Sequence, residues 1–218
     1  MSRARPASAD LTSASDSSGP AEVHAVVVWP GAGSSSDHPS LLAIEAAMAP
    51  LPVFRRDFPY RREGRRAPDR ANKLIASLRV DVAQVCHDLG TTPEHLVLGG
   101  RSMGGRMCSM AVAGATGNTA TGSEAHEDPL PAAGLILISY PLHPPGKPER
   151  LRTEHLGDVQ VPTLFISGDR DPFCTPAELE PATALVGGPV TTSTIRGRGH
   201  DLKASDGLIV DAIRCWLG

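Results

Sequence analysis

The sequence feature that most constrains the fold is a run of glycines around one serine, Gly100-Arg101-Ser102-Met103-Gly104. It follows an apolar, strand-like stretch at 96–98 and precedes small residues that predict a helix over 105–113. The run fits G-x-S-x-G, in which a serine occupies a sharp strand-to-helix turn whose flanks have no room for a Cβ. Such a turn exposes the serine hydroxyl at a helix N-terminus, where developing negative charge is favoured. The motif predicts Ser102 as a nucleophile; the alternative is a glycine- and serine-rich loop without chemistry.

Composition excludes several classes of function. The chain has 218 residues, of which 40% are hydrophobic, and a net charge of −3. Because it lacks a strong excess of basic residues, its charge does not indicate nucleic acid or a membrane surface as partner. Aromatic residues make up 4%, too few for a base-stacking platform. No apolar run is long enough to span a bilayer. Four scattered cysteines without a C-x-x-C pair are typical of a reducing compartment, so the expected location is the cytoplasm, with no metal ligand set and no cofactor.

The chain length favours a single domain. Residues 1–21 are rich in Ser, Ala and Asp and predict a disordered N-terminal tail without a signal-peptide core. Residues 22–218 form the predicted domain, with a flexible, polar surface insertion at about 115–131. We expect a monomer or a homodimer.

Apolar β-branched runs alternate with stretches of helical periodicity along the domain. Strands are predicted over 23–29, 52–58, 96–98, 134–139, 161–167 and 190–195, and helices over 39–49, 70–89, 105–113, 176–185 and 206–217. Asp37 or Ser36 is the expected N-cap of the first helix, and Gly90 ends the second. This alternation predicts an α/β fold with a mostly parallel central sheet, helices on both faces and no cap domain.

Three candidate residues follow separate predicted strands: Ser102, then Asp169 or Asp171, then His200. The carboxyl ends of strands in an open α/β sheet share one edge, so these residues can meet there. The order Ser, Asp, His is that of α/β-hydrolases. We favour Asp171, which lies closer to the following helix, over Asp169 in the turn. Asp201 is a weaker alternative, because its position next to His200 is poor for a bond to that ring.

The loop Gly31-Ala32-Gly33 follows the first predicted strand and is expected to supply half of an oxyanion hole. Its partner would be the Met103 N–H, with Ala32 as the donor from the loop. A phosphate-binding loop is the alternative, but neither nucleotide-binding glycine motif is present. The arginine-rich stretch at 55–70 predicts a solvated rim; an anion-attracting lip or internal ion pairs are the alternatives.

The chain resembles small, lidless α/β-hydrolases related to dienelactone hydrolase, and most of all the branch that includes the testis-expressed and NSL-complex relatives of eukaryotes. The resemblance covers the chain from about Val23 onward. The matching strings are Gly31-Ala32-Gly33 with Asp37-His38-Pro39, Asp57-Phe58-Pro59-Tyr60, Gly64-Arg65-Arg66, 99–106, 140–147 and 168–173. It implies Ser102, Asp171 and His200 as the catalytic triad. The chain differs from these relatives at two positions. It has Pro30 where they usually have a histidine, and its nucleophile is Ser102 where true dienelactone hydrolases have a cysteine.

These patterns predict a serine hydrolase that cleaves small or short-acyl carboxylic esters through an acyl-enzyme. The predicted substrate-binding residues are Gly31, Gly33, Arg101, Tyr140 and His143, and the expected partner is a small-molecule ester. Tyr140 and His143 belong to a proline-dense loop at 140–148, which leaves the same sheet edge as Ser102 and is expected to form one wall of the pocket. An exposed or structural histidine is the alternative for His143. Thioester or peptide bonds remain alternative substrates. The rival hypothesis is a hydrolase-like scaffold that binds a protein partner and catalyses little, because fold does not fix function.

Overall fold

The structure is a computed structural model that describes residues 9–13, 19–117 and 126–218. In this part of the chain, seven strands form one sheet in the order β1-β7-β6-β5-β4-β2-β3. The strands are β1 (Ala9–Ser13), β2 (Ala25–Trp29), β3 (Val53–Arg55), β4 (Leu96–Arg101), β5 (Gly134–Ile138), β6 (Thr163–Gly168) and β7 (Val190–Ile195). β2 to β7 run parallel, and β1 pairs antiparallel with β7 at one edge. The predicted α/β-hydrolase fold class is confirmed.

Helices cover both faces of the sheet. They are α1 (Pro39–Ala47), α2 (Pro59–Arg62), α3 (Ala71–Leu89), α4 (Met103–Val112), α5 (Pro176–Thr183) and α6 (Asp206–Leu217). Gly90 ends α3 in the left-handed conformation, as predicted. The described residues form no cap domain over the carboxyl edge of the sheet. They also contain no helix that combines the length and apolar character needed to cross a bilayer.

The period-two alternation of side chains divides the core into two layers. On β2, Val26 and Val28 pack with the layer that includes residues of α1 and α6, whereas Val27 and Trp29 pack with the layer of α3 and α4. Both layers are apolar, which is why the central strands are almost uninterrupted hydrophobic runs. The sheet is therefore buried on both faces and leaves only its edges for chemistry.

The expectation of a disordered tail over residues 1–21 is wrong at residues 9–13. There the backbone forms β1 and pairs with β7 from Ala9 opposite Ile195 to Ser13 opposite Thr191. An edge strand offers unpaired N–H and C=O groups, so even a polar segment gains backbone hydrogen bonds there. Residues 1–8 and 14–18 lie outside the described residues, as do residues 118–125 of the predicted insertion. Ala115 is buried and forms a single bridge with His126, so the insertion begins against the fold.

One local prediction is corrected and another is supported. The N-cap of α1 is His38, not Asp37 or Ser36, because its ring nitrogen accepts the Ser40 N–H. In the arginine-rich stretch, internal ion pairs accompany a largely exposed loop: Arg65 contacts Asp69 at 2.8 Å and Arg62 contacts Asp81 at 3.2 Å. These contacts support the solvated rim with internal pairs and leave the anion-attracting lip without support.

The sheet brings the predicted site residues to one edge. β2 and β4 are neighbours in the sheet although β3 lies between them in sequence. β3 lies on the outer side of β2, whereas β5, β6 and β7 follow on the other side of β4, so the strand order reverses between β2 and β4. The loops after these two strands therefore diverge and leave a crevice, which is where ligands bind in open α/β sheets. β6 and β7 end at the same edge and complete its rim.

Candidate active site

Ser102 lies between β4 and α4 in a conformation that few residues adopt. Its φ of 47° and ψ of −113° place a non-glycine residue at positive φ. Such strain is retained only where the surrounding structure enforces it, and it is concentrated at functional sites. The Ser102 N–H is held by the Ile138 carbonyl at 2.8 Å. The turn is therefore anchored to β5 and presents the Ser102 side chain at the N-terminus of α4.

The glycines around Ser102 are required by close backbone packing. Gly100 has a φ of 148°, and a Cβ there would collide with the backbone of Trp29 on β2. A Cβ on Gly104 would meet the same backbone, with the Pro30 carbonyl oxygen 2.7 Å away. The G-x-S-x-G spacing thus reflects how closely β4 and α4 approach β2.

His200 lies on the loop after β7 and contacts both other members of the predicted triad. Its Nδ1 lies 2.8 and 3.0 Å from the two carboxylate oxygens of Asp171, and its Nε2 lies 2.9 Å from Ser102 Oγ. A carboxylate only accepts hydrogen bonds, so Nδ1 carries the proton and Nε2 is free to accept the serine hydroxyl. Asp171 is fully buried and also accepts the Phe173 N–H at 2.8 Å. This hydrogen-bonded chain has the geometry of a serine nucleophile, a general base and an orienting carboxylate.

The other two aspartates do not reach the histidine ring. Asp169 accepts the Gly197 N–H at 2.6 Å and so ties the end of β6 to the turn after β7. Asp201 is exposed, and its carboxylate accepts the backbone N–H of Lys203 at 3.3 Å. The geometry therefore favours Asp171 among the three candidates.

Arg101, predicted to bind substrate, holds the loop that carries His200. Its guanidinium donates to the carbonyls of His200 at 3.2 Å and Asp201 at 2.9 Å, and to Ser40 Oγ at 3.3 Å. The side chain borders the cavity described below but is 6% exposed. Burial lowers the pKa of Arg101, opposed by the negative charges of Asp206, Asp201 and Asp171. Arg101 is thus in place to position the histidine loop.

The loop after β2 faces the nucleophile, as predicted for an oxyanion hole. A Cβ on Gly31 would lie 3.6 Å from Ser102 Cβ, which shows how near this backbone comes. The buried Tyr60 donates its hydroxyl to the Ala32 carbonyl at 2.9 Å and so fixes the orientation of that peptide. Met103 is the first residue of α4, where an N–H has no acceptor within the helix. Sequence reasoning did not assign a role to Tyr60.

A cavity of about 570 Å³ lies over these groups. Gly31, Ala32, Gly33, Arg101, Ser102, Met103 and His200 line it, so it collects most of the predicted site residues. His38, Arg106, Arg152 and Phe173 also contribute to its wall. Phe173 packs on the His200 ring with centroids 4.1 Å apart, and burial together with the Arg101 charge lowers the pKa of His38. The sequence contained a signal for Arg106, which is one helical turn beyond Ser102, but none for Arg152.

Tyr140 and His143, both predicted to bind substrate, lie beneath the surface and do not line the cavity. Tyr140 is 1% exposed and donates its hydroxyl to the Arg152 carbonyl at 3.0 Å. His143 is 3% exposed; its Nδ1 lies 2.8 Å from the Pro144 carbonyl and its Nε2 lies 3.4 Å from Glu178. Both side chains therefore support the loop after β5. Its proline-dense sequence indicated a cavity wall, but Pro141 supplies that wall in their place.

Neither buried cysteine near the site is an alternative nucleophile. Burial, reinforced by the negative charges of Asp171 and Glu178, raises the pKa of Cys174 to about 12. Burial also raises the pKa of Cys108 well above its ordinary value. Both remain protonated thiols near neutral pH, and a thiol attacks only as its thiolate.

The structure places one group of metal-ligating side chains away from this cavity. Glu22, His24 and His95 bring their ligand atoms within 4.8 Å of one another, near the amino ends of β2 and β4. The sequence predicted no metal ligand set, because these residues are distant in the chain and follow no known metal-binding spacing. They lie at the edge of the sheet opposite Ser102 and take no part in its hydrogen-bonded chain.

Residues 22–208 match the family described as alpha/beta hydrolase domain. The chain belongs to this family. Est1E from Butyrivibrio proteoclasticus has a similar structure, with 14% identity, a TM-score of 0.66 and coverage of 96% of this chain and 92% of that one. The esterase Est2 from Thermogutta terrifontis shows 18% identity and a TM-score of 0.61 over 96% and 88% of the two chains. An alpha-beta serine hydrolase homologue from Coxiella burnetii has 14% identity and a TM-score of 0.59, with coverage of 96% of this chain and 89% of that one.

At these identities the solved structures support the fold of this α/β hydrolase and leave its substrate open. Family membership supports a hydrolase function. The arrangement of Ser102, His200 and the loop after β2 can perform acyl transfer: attack by an activated hydroxyl, proton transfer through an imidazole, and stabilisation of an oxyanion by backbone N–H groups.

Proposed function

We propose that this α/β hydrolase is a serine esterase that cleaves small or short-acyl carboxylic esters through an acyl-enzyme. The observation that carries the proposal is the continuous chain of contacts from Ser102 Oγ through His200 to the buried Asp171. The strained backbone of Ser102 adds to it, because strain of this kind is kept where function requires it. A cavity of about 570 Å³ without a cap in the described residues suits small esters.

The reaction proceeds in two halves. Ser102 Oγ attacks the ester carbonyl carbon while its proton passes to His200 Nε2, and the resulting oxyanion is stabilised by the N–H groups of Met103 and Ala32. As the carbon–oxygen ester bond breaks, the leaving alcohol takes the proton from His200. A water molecule then attacks the acyl carbon and gives a proton to His200. The bond between Ser102 Oγ and the acyl carbon breaks, His200 returns the proton to Ser102 Oγ, and the carboxylic acid leaves. The Asp171 carboxylate accepts the hydrogen bond from His200 Nδ1 and so stabilises the imidazolium.

Three further assignments belong to the same proposal. We assign the chain to the testis-expressed and NSL-complex branch of dienelactone-hydrolase-like proteins, because the sequence strings described above resemble that branch. The four free cysteines favour a reducing cytoplasm. A small-molecule ester is the proposed partner, with no nucleic acid and no membrane, and the protein is a monomer or a homodimer.

Hydrolysis of p-nitrophenyl acetate and butyrate by purified protein, beside Ser102→Ala, tests the proposal. We expect turnover by wild type and a rate in the variant reduced to that of the uncatalysed reaction. A folded wild type that hydrolyses neither ester would contradict the esterase and favour the partner-binding scaffold.

A further inference from the structure

Two arginines on the cavity wall are not explained by the triad. Arg106 is in the first turn of α4, four residues after Ser102, and therefore projects from the same side of the helix. Arg152 follows the proline-dense loop after β5 and donates to the Pro141 carbonyl at 3.3 Å. Both side chains are partly buried. The cavity that holds the nucleophile thus has two guanidinium groups in its wall besides Arg101.

Neither arginine has a carboxylate partner among the described residues. The ion pairs in that part of the chain include neither Arg106 nor Arg152. The Nε of Arg106 is buried and contacts no acceptor within hydrogen-bonding distance. Glu154 is near Arg152, but its charge is the weakest of the influences on that guanidinium. Arg101 differs, because Asp206, Asp201 and Asp171 offset its charge.

Two titratable groups beside Arg106, His155 and Tyr140, are uncharged near neutral pH. Burial, with a further contribution from the charge of Arg106, lowers the pKa of His155 to about 3. Burial raises the pKa of Tyr140 to about 12. Burial and then the positive charge of Arg106 lower the pKa of Arg152. The two guanidinium groups therefore repel each other, and neither forms an ion pair with a carboxylate of the described residues.

The position of Arg106 is unfavourable for a purely structural cation. The first turn of a helix carries the positive end of the macrodipole, where acidic side chains are stabilising and basic ones are not. The first turn of α4 contains no acidic residue that compensates. A bound anion would satisfy the Nε of Arg106, relieve its repulsion with Arg152 and interact favourably with the helix N-terminus.

We propose that the cavity selects esters whose acyl chain ends in a carboxylate, which Arg106 and Arg152 bind while Ser102 attacks the ester carbonyl. This proposal rests on the proposed esterase function. The chemistry is unchanged: the alcohol leaves with the proton from His200, water releases the acyl group, and the product is a dicarboxylate. The distal carboxylate is ionised in substrate and product and takes no part in bond making.

The test compares monoethyl glutarate with ethyl valerate, two esters of similar length of which only the first is charged, by titration of released acid. We expect kcat/KM for the charged ester to exceed that for the neutral one. In Arg106→Gln and in Arg152→Gln, the preference for the charged ester should fall by about 10- to 100-fold, the effect of losing a hydrogen bond between charged groups. Arg66→Gln is the matched control, because Arg66 is exposed and does not line the cavity.

A wild type that prefers ethyl valerate, or glutamine variants that keep the preference of wild type, would overturn the proposal while leaving the esterase intact. Thermal unfolding with added glutarate or inorganic phosphate gives a readout independent of turnover. Glutarate should raise the Tm of wild type and not that of Arg106→Gln. A larger shift with phosphate than with glutarate would overturn the carboxylate assignment. If neither ester is hydrolysed but glutarate stabilises the protein through Arg106, the esterase fails and the anion site stands.

Discussion

Replacement of Arg101 by methionine separates two roles for this residue. The sequence predicted that Arg101 binds substrate, whereas the structure shows its guanidinium holding the carbonyls of His200 and Asp201. Methionine fills similar volume but donates no hydrogen bond, so both carbonyls lose their charged donor. We expect the loop after β7 to become more mobile and His200 to leave the reach of Ser102 Oγ for much of the time.

The magnitude follows from the contacts that are lost. Each hydrogen bond from a charged donor contributes about 1.5–3 kcal/mol, so the two together contribute about 3–6 kcal/mol. The cost of burying a guanidinium, visible in the lowered pKa of Arg101, offsets part of this gain. We expect the free energy of unfolding to fall by about 2–4 kcal/mol. Misplacement of a catalytic group by about 1 Å costs on the order of 100-fold, so kcat should fall by about 10- to 100-fold.

Steady-state kinetics with p-nitrophenyl butyrate and urea denaturation give the two readouts. A positioning role predicts a lower kcat with KM within about twofold of wild type, because the substrate contacts remain. Arg101→Lys should recover part of kcat, since an ammonium retains the charge and reaches one of the carbonyls. A raised KM with unchanged kcat would refute this reasoning and restore the substrate-binding role.

Three further outcomes follow from the geometry. Asp171→Asn should reduce kcat by about 10³- to 10⁴-fold, because an amide no longer fixes the His200 tautomer. Gly100→Ala should lower the free energy of unfolding by more than about 3 kcal/mol through collision with Trp29, whereas Gly207→Ala, with open space around its Cα, should change it by about 1 kcal/mol or less. His155, whose pKa is lowered from 6.5 to about 3, is neutral in the folded protein, so the unfolded chain binds more protons between these values. Stability should therefore fall as the pH drops through that window, by at most about 1.4 kcal/mol per unit, and less steeply in His155→Gln.

A different result would contradict each of these three predictions. Full activity in Asp171→Asn, measured by ester hydrolysis, would show that another group orients His200. Equal denaturation midpoints for the Gly100 and Gly207 variants would show that β4 and β2 are less closely packed than described. Identical slopes of stability against pH for wild type and His155→Gln, measured by urea denaturation in buffers from neutral to acidic pH, would exclude His155 as the source of the acid sensitivity.

The sequence predicted what local patterns encode. β2 and β5 appear as apolar β-branched runs, and both lie within two residues of their predicted bounds, because sheets buried on both faces demand such runs. Ser102 and His200 were found because chemistry at the end of a strand follows from topology and motif order. Their catalytic roles stay predictions until activity is measured.

What the sequence did not predict depends on contacts between distant residues. Strand β1 exists because the edge of β7 offers a partner, and nothing in its own polar residues indicates this. Arg152 reaches the cavity through a loop whose path no periodicity describes. His143 lies within the proline-dense loop at 140–148, which indicated a cavity wall, yet its ring is buried against Pro144 and Glu178.

The measurement that tests the central claim most directly is peptide mapping by mass spectrometry after incubation with a fluorophosphonate probe, which modifies only an activated serine. The account predicts one adduct on the peptide that contains Ser102, none in Ser102→Ala, and slower labelling in His200→Gln because the general base is lost. Folded wild type that remains unlabelled, or an adduct on a different serine, would contradict the assignment of Ser102, His200 and Asp171 as the catalytic machinery.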